Sequence, residues 1–186
     1  MITYIATFLP WIAFAALSGV SWFWAAVAGL VVAASVVGQQ VRSGAKPDAL
    51  ILQYSTTTYF VILCVLGLVA PHSGVENYAG AASFGWLAVI SWITLAIRRP
   101  FTTGIAKQTT PEEYWDLPVF HTVNVVITSV WATCFTLVAI ALAVVDAGTD
   151  SGGLKITIQV LGFVIPAVFT ARHPRTARAR AVRATS

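Results

Sequence analysis

Charged residues are scarce in this chain, because only 10% of its 186 residues are Asp, Glu, Lys or Arg. A soluble domain usually carries about 25% charged residues. Hydrophobic residues make up 58% of the sequence, so too few polar groups remain to cover a water-soluble protein of this length. The composition therefore predicts an integral membrane protein, whose solvent is the lipid bilayer.

Cysteine and histidine are also rare. Cys64 and Cys134 both lie within apolar runs, and neither belongs to a C-x-x-C motif, which excludes a disulfide framework and a thioredoxin-like redox site. The histidines, His72, His121 and His173, lack the spacing of a metal site. The sequence contains no phosphate-binding loop, dinucleotide fingerprint or nucleophile elbow. We therefore expect no metal, no cofactor and no catalytic residue, and an enzyme is the less favoured class.

Apolar segments of nearly spanning length occur six times. A membrane-spanning helix needs about 20 residues, and roughly 17 to 25 are tolerated. The segments cover residues 2–17, 20–37, 49–70, 79–97, 119–145 and 154–170. Only Ser18 and Gly19 separate the first two, so these form either two tightly connected spans or a re-entrant hairpin. The sequence predicts an all-α integral membrane protein, with a single six-helix domain over residues 1–170 and a basic, disordered tail over residues 171–186.

The distribution of basic residues predicts the orientation. The net charge is +4, but Lys and Arg follow the second, fourth and sixth segments instead of forming one face, which excludes nucleic acid as a partner. In the loops on the other side, the only basic residue is Lys155. Because cytoplasmic loops collect positive charge, both termini are expected in the cytoplasm of a bacterial inner membrane. The first segment lacks a preceding basic region and is expected to be a retained helix, and the tail is expected to contact anionic lipids.

Polar residues inside the apolar segments are the first candidates for a site, because polar groups are costly in lipid. The candidates on the third and fifth segments are Gln53, Thr56, Thr57, His121, Asn124 and Thr128. One interpretation is a polar cleft open to the cytoplasm, in which His121 exchanges a proton while Gln53 and Asn124 bind a small solute. The other is hydrogen bonding between helices, which Ser, Thr, Asn and Gln routinely supply in membranes.

The loop between the fourth and fifth segments is unusually polar and reads RRPFTTGIAKQTTPEEYWDLP over residues 98–118. Its basic residues Arg98, Arg99 and Lys107 are candidates for binding lipid headgroups or another anion. Positive charge at this position also satisfies topology alone.

The same loop contains the pattern of a helix start. Thr110, Pro111 and Glu113 have the spacing of a capping box with proline at the first helical position. We therefore expect a short interfacial helix before the fifth span, with its aromatic side resting on the membrane surface. The residues assigned to this helix are Glu112, Glu113, Tyr114 and Trp115.

The region from residue 98 to residue 135 resembles a family of small bacterial multi-span membrane proteins, and it is more distantly similar to intracellular septation protein A. The matching residues are Arg99, Pro100, Pro111, Trp115, Asn124, Trp131, Ala132 and Phe135. The septation proteins carry a Lys-Pro-Thr segment before the preceding span, where this chain reads ENYAGAASFGW. The resemblance implies an inner-membrane protein linked to envelope maintenance or division, without an established catalytic reaction.

Three functions remain open at this point. The first is a non-enzymatic envelope or complex-forming protein, which acts through lipid, another membrane protein or a second copy of itself. The second is a small-solute transporter or channel with a polar cleft between the third and fifth segments. The third is a membrane enzyme that acts on a lipid or isoprenoid at the cytoplasmic face, using the basic and acidic residues of the polar loop together with His121.

Overall fold

The computed structural model describes residues 2–45, 50–71, 74–108, 110–148 and 152–184. These ranges are almost wholly helical and contain no β-strand. Their α-helices are α1 (Ile2–Ser18), α2 (Trp22–Arg42), α3 (Ile51–Val69), α4 (Ala79–Ala96), α5 (Phe101–Lys107), α6 (Pro118–Gly148) and α7 (Gly152–Ala184). Short 3-10 segments cover Val75–Tyr78 and Glu112–Tyr114.

Five helices within the described ranges are long and apolar enough, by length and composition, to cross a membrane. They are α2, α3, α4, α6 and the part of α7 over Gly152–His173. The first helix, α1, is also apolar but has only 17 residues and contains Pro10. The prediction of an all-α membrane protein is therefore confirmed, and α1 is the one predicted segment that falls short of the length of the others.

Contacts along neighbouring helices give their relative directions. In the α6–α7 pair, Trp131 bonds to Thr170 near one end, and Asp146 pairs with Lys155 near the other. The residue numbers rise along one helix as they fall along the other, so the two helices are antiparallel.

The other pairs follow the same rule. The pairs α2–α3, α3–α4 and α4–α6 are each antiparallel. Helix α1 runs parallel to α3. The start of α1 and the end of the spanning part of α7 therefore lie at the same end of the bundle. Arg42, Arg98 and Arg99 also lie at this end, which we call the basic end.

Aromatic rings form the centre of the bundle. Phe8 of α1 stacks on Trp131 of α6 with 4.8 Å between ring centroids. Phe135 lies edge-on to Phe8, and Phe163 of α7 contacts Phe8, Phe135 and Phe84 of α4. Stacked and edge-to-face pairs of this kind contribute about 0.5–1.5 kcal/mol each beyond their area burial. This aromatic layer joins four helices at mid-bundle.

Two glycines allow α2 and α3 to approach each other closely. A Cβ atom placed on Gly29 of α2 would lie 2.5 Å from the ring of Phe60, and one on Gly67 of α3 would overlap the ring of Phe23. Helix packing in membranes depends on such small residues, because lipid supplies no hydrophobic force between helices. The α2–α3 hairpin therefore depends on glycine at two levels of its contact, one near the middle and one near the Phe23 end.

The segment predicted as a disordered tail differs in the structure, where α7 remains helical through Ala184. Residues 171–184 are rich in Ala and Arg, which are among the strongest helix formers. Extending an existing helix also avoids the cost of nucleating a new one. Residues 185 and 186 lie outside the described residues.

Candidate functional site

The polar loop contains a buried helix that sequence reasoning missed. Helix α5 begins after Pro100 and buries Phe101, Thr102, Gly104 and Ile105. Phe101 and Ile105 are four residues apart and share one face of the helix, which is the signal that was available. The seven-residue length and the flanking charges hid it, because a helix this short is not stable by itself and depends on tertiary packing.

Hydrogen bonds to α6 hold this helix in place. The hydroxyl of Thr102 donates to the backbone carbonyl of Asn124 at 3.0 Å, and its oxygen lies 2.7 Å from the hydroxyl of Thr128. Because Thr102 has one proton and gives it to the carbonyl, Thr128 is the donor in the second bond. Both threonines are fully buried. Two of the predicted cleft residues thus anchor α5 to α6.

The other predicted cleft residues have separate partners. Gln53 donates from its amide to the side-chain oxygen of Gln40 at 3.1 Å, which joins α3 to α2. Thr56 accepts a bond from the indole of Trp11 at 3.2 Å, which joins α3 to α1.

Thr57 and His121 make no bond to a neighbouring helix in the described contacts. Thr57 donates to the backbone carbonyl of Gln53 on its own helix. His121 is exposed near the start of α6. The structure therefore distributes the six predicted residues over several helix contacts and does not gather them around one opening.

Three buried oxygen atoms near α5 have no hydrogen-bond partner among the described residues. They are Oε1 of Gln53, Oγ1 of Thr103 and Oδ1 of Asn124. These atoms lie on α3, α5 and α6, and α5 packs against each of the other two helices. Buried polar atoms are normally bonded. This group of atoms is the part of the predicted cleft that retains binding capacity.

The predicted anion-binding residues lie at the basic end. Arg98 and Arg99 are exposed where α4 ends. Arg98 has φ 57°, and the N–H groups of Arg98 and Arg99 donate to the carbonyls of Leu95 and Thr94. This is a Schellman motif, whose left-handed position is usually glycine. Both arginines therefore shape the helix end through their backbone, while their side chains face outward.

Lys107, the third predicted anion-binding residue, contacts an aromatic ring. Its Nζ atom lies 4.9 Å from the centre of the Trp115 ring, within the range of a cation–π interaction. The indole N–H of Trp115 donates to the backbone carbonyl of Thr110 at 2.8 Å. The lysine and the tryptophan thus stabilise the fold of the loop.

The predicted interfacial helix is a single 3-10 turn in the structure. It covers Glu112–Tyr114, begins after Pro111, and has no side-chain capping bond. The capping-box prediction for Thr110 is therefore wrong, because Pro111 occupies the cap position and backbone bonds from Tyr114 and Trp115 close the turn. Thr110 contributes its backbone carbonyl, which accepts from the indole of Trp115. Glu112, Glu113 and Tyr114 are exposed.

A set of tryptophan–hydroxyl bonds connects the helices. Four indole N–H groups each donate to a Ser or Thr hydroxyl on another helix, at 2.9–3.2 Å. The pairs are Trp11–Thr56, Trp86–Ser55, Trp92–Thr136 and Trp131–Thr170, and Tyr59–Ser83 adds a fifth bond at 2.9 Å. These five bonds link α1 to α3, α3 to α4, α4 to α6, and α6 to α7. Buried indole N–H groups need partners, and here the helix arrangement determines which hydroxyl each of them meets.

A cavity lies at the end of the bundle opposite the basic end. It has a volume of about 410 Å³, is partly open on its outer side, and is lined by the end of α1 and the starts of α4 and α7. Its lining is mainly apolar and includes Ile12, Leu87, Ile156, Val160 and Phe163. None of the residues predicted as a site from the sequence lines it. Sequence reasoning missed this cavity because no polar pattern marks it.

The described residues contain no group of three or more His, Cys, Asp or Glu side chains placed to hold a metal ion. No protein-family model, curated protein or solved structure matches this chain. The structure offers two candidate sites, the unpartnered polar atoms around α5 and the apolar cavity at the end of the bundle opposite the basic end.

Proposed function

We propose that this protein is a non-enzymatic inner-membrane protein that acts through contacts with lipids and with other membrane helices. The observation that carries this proposal is the set of bonds that joins α1, α3, α4, α6 and α7 through tryptophan and tyrosine side chains. Because these bonds engage the polar side chains in contacts between helices, few of those side chains remain for catalysis. The resemblance of residues 98–135 to a family of small bacterial multi-span membrane proteins implies a similar role in envelope maintenance or division.

In this proposal α1 forms a sixth crossing, and both termini lie in the cytoplasm. The basic end then faces the cytoplasm, in agreement with the charge rule. Lys155, at the opposite end, is neutralised by Asp146 at 2.9 Å, and the Asp146 side chain is only 5% exposed. A paired lysine does not weigh against this orientation in the way that a free one would.

Cysteine labelling tests the topology. In a background with Cys64 and Cys134 replaced by alanine, single cysteines are placed at exposed positions, Gly19 between α1 and α2 and Ser43 after α2. A membrane-impermeant maleimide should label Gly19→Cys in intact cells, and Ser43→Cys only after the membrane is opened. The opposite pattern would invert the orientation, and equal labelling of both before opening would remove the crossing by α2.

Complementation tests the absence of catalysis. A host lacking this protein is scored for envelope sensitivity to detergent, and the triple variant Glu112→Gln, Glu113→Gln, His121→Ala is then supplied. If the protein acts through contacts, this variant should restore wild-type resistance, because the three side chains are exposed and none of them belongs to the tryptophan–hydroxyl bonds that join the helices. The matched control, Trp131→Ala, should fail because it removes a buried bond and ring. Failure of the triple variant at normal abundance would instead favour the enzyme.

A second function is favoured by the unpartnered atoms around α5. Gln53, Thr103 and Asn124 present one amide oxygen, one hydroxyl and one further amide oxygen, with no carboxylate among them. Such a group suits a small neutral or cationic hydrogen-bond donor, and binding there would correspond to the transporter. In vesicles, Asn124→Leu should then abolish solute uptake that Thr122→Val leaves intact, since Thr122 is exposed and bonds only to its own helix. Unchanged uptake in Asn124→Leu excludes this function.

A further inference from the structure

The cavity between α1, α4 and α7 is a pocket that is partly open on its outer side, since Ile12, Ile156 and Val160 in its lining are exposed. The volume here is about 410 Å³, within the roughly 300–1,000 Å³ of ordinary ligand sites. An apolar space of this size beside lipid is expected to be filled by an apolar group.

One polar side chain in the lining, that of Gln159, can form a hydrogen bond with a bound molecule. Ser83 is already bonded to Tyr59 and to the carbonyl of Ala79, and Ser18 donates to the carbonyl of Ala15. Among the described residues, the side chain of Gln159 has no hydrogen-bond partner.

Gly80 provides the room for this amide. A Cβ atom on Gly80 would lie 2.9 Å from Nε2 of Gln159, so the glycine lets the amide approach the α4 backbone closely. The cavity therefore combines an apolar chamber with a single amide able to donate and to accept.

We propose that this cavity binds one acyl chain of a membrane phospholipid, and that the Gln159 amide donates to the ester carbonyl at the head of that chain. The acyl chain matches the apolar lining, and the ester supplies the one acceptor that the free amide requires. The phospholipid comes from the leaflet opposite the basic end, because the cavity lies beside Ser18 and the starts of α4 and α7. This inference rests on the proposed membrane placement, since an acyl chain reaches the cavity only if these helices lie in the bilayer.

Native mass spectrometry of the full chain tests the site. The protein is purified in mild detergent with dioleoyl phosphatidylglycerol or its diether analogue as the probe, and the fraction that retains one lipid is measured. Ala16→Phe places a ring in the cavity, and Ala82→Phe is the matched control on an exposed face of α4 outside the lining. Ala16→Phe should lower retention by about tenfold, the effect of excluding two methylene groups, while Ala82→Phe retains the lipid as wild type does.

The ester and ether lipids test the amide in the unmodified protein, which avoids any folding defect. Wild type should retain the ester lipid about fivefold more than the ether lipid, the effect of one net hydrogen bond. Gln159→Leu should remove this preference. Equal retention by wild type and Ala16→Phe would overturn the site, and equal retention of both lipids by wild type would overturn the role of Gln159.

Failure of this inference is separable from failure of the proposed function. If the cysteines label as expected but no lipid is retained, the topology stands and the acyl site is wrong. If Gly19→Cys and Ser43→Cys label in the opposite pattern, the leaflet assignment is wrong even when a lipid is retained. Adventitious binding of lipid to the outer surface is recognised by equal retention in wild type, Ala16→Phe and Ala82→Phe, and it overturns the proposal.

Discussion

Replacing Thr102 by valine should make α5 open more often from the bundle without disturbing the spanning helices. Valine has nearly the same shape as threonine, so the change removes the hydroxyl and leaves the packing of α5 in place. The lost bonds are those to the Asn124 carbonyl at 3.0 Å and to the Thr128 hydroxyl at 2.7 Å. Helix α5 has seven residues and no stability of its own, so its closed state depends directly on these contacts.

The expected magnitude follows from the partners left behind. Side-chain hydrogen bonds between membrane helices average about 0.6 kcal/mol and reach about 1.7. The stranded Thr128 hydroxyl can turn to the carbonyl of Asn124, four residues earlier on its own helix, which limits the loss. We therefore expect Thr102→Val to cost about 0.6–1.4 kcal/mol, equivalent to an about three- to tenfold rise in local opening.

Hydrogen exchange in lipid nanodiscs measures this opening. The peptide covering residues 101–107 should exchange about three- to tenfold faster in Thr102→Val, while peptides from mid-α4 and mid-α6 remain unchanged. Thr122→Val is the matched control, because that hydroxyl is exposed and bonds only to the Pro118 carbonyl. Adding Thr128→Val to Thr102→Val should cost less than the sum of the single effects, since both members of a bonded pair are then removed together.

Two results would refute this reasoning. Unchanged exchange in Thr102→Val would mean that the apolar contacts of Phe101 and Ile105 alone hold α5. Strict additivity of Thr102→Val and Thr128→Val would mean that the 2.7 Å contact contributes no coupling energy.

Three further predictions concern the ends and the centre of the bundle. Gly29→Ala should lower the free energy of unfolding by about 1–3 kcal/mol, because the new Cβ meets the buried ring of Phe60. An unchanged free energy of unfolding would show that the ring can move aside. Arg98→Gly should raise the midpoint of thermal unfolding above that of Arg98→Ala, since φ 57° costs a non-glycine residue about 1 kcal/mol; the reverse order would show that the arginine side chain stabilises the loop. Asp146→Asn should lower the free energy of unfolding by about 1–2 kcal/mol. The double variant Asp146→Asn, Lys155→Met should recover most of this loss. No recovery would show that the ion pair at 2.9 Å is not the cause.

The spanning helices were predictable because the bilayer imposes their length and composition. Five of the predicted segments correspond to helices that meet a full span length, and their ends shift in both directions: α3 and α4 end one residue earlier than predicted, whereas α6 extends beyond its apolar core. For α6 this extension adds Pro118 at the start and residues 146–148 at the end. Apolar content alone could not have given these ends, since capping and turn geometry determine them.

The site was harder to predict, because the same polar residues suit both binding and helix contact. Asn124 and Thr128 were candidates because they are polar residues within an apolar segment, yet their partner, Thr102, lies in a loop whose charged residues drew attention away from it. Trp131 needed an acceptor, but that the acceptor is Thr170, 39 residues later, follows only from the antiparallel placement of α6 and α7. The cavity left no signal in the sequence, since it is a space between apolar residues of three helices.

The two candidate sites lie at opposite ends of the bundle, and the aromatic layer lies between them. A solute passing from the cavity to the polar atoms around α5 would have to cross the rings of Trp131 and Phe135, which are 2% and 0% exposed. Phe8 stacks on the first and Phe163 lies edge-on to the second, so opening a path would require four helices to separate and the Trp131–Thr170 bond to break. Transport would therefore require the most tightly packed part of the protein to open, whereas occupation of the cavity by an acyl chain requires no movement of that layer. The lipid-contact function is favoured for this reason, and a Trp131→Phe variant that gained solute flux would be the observation against it.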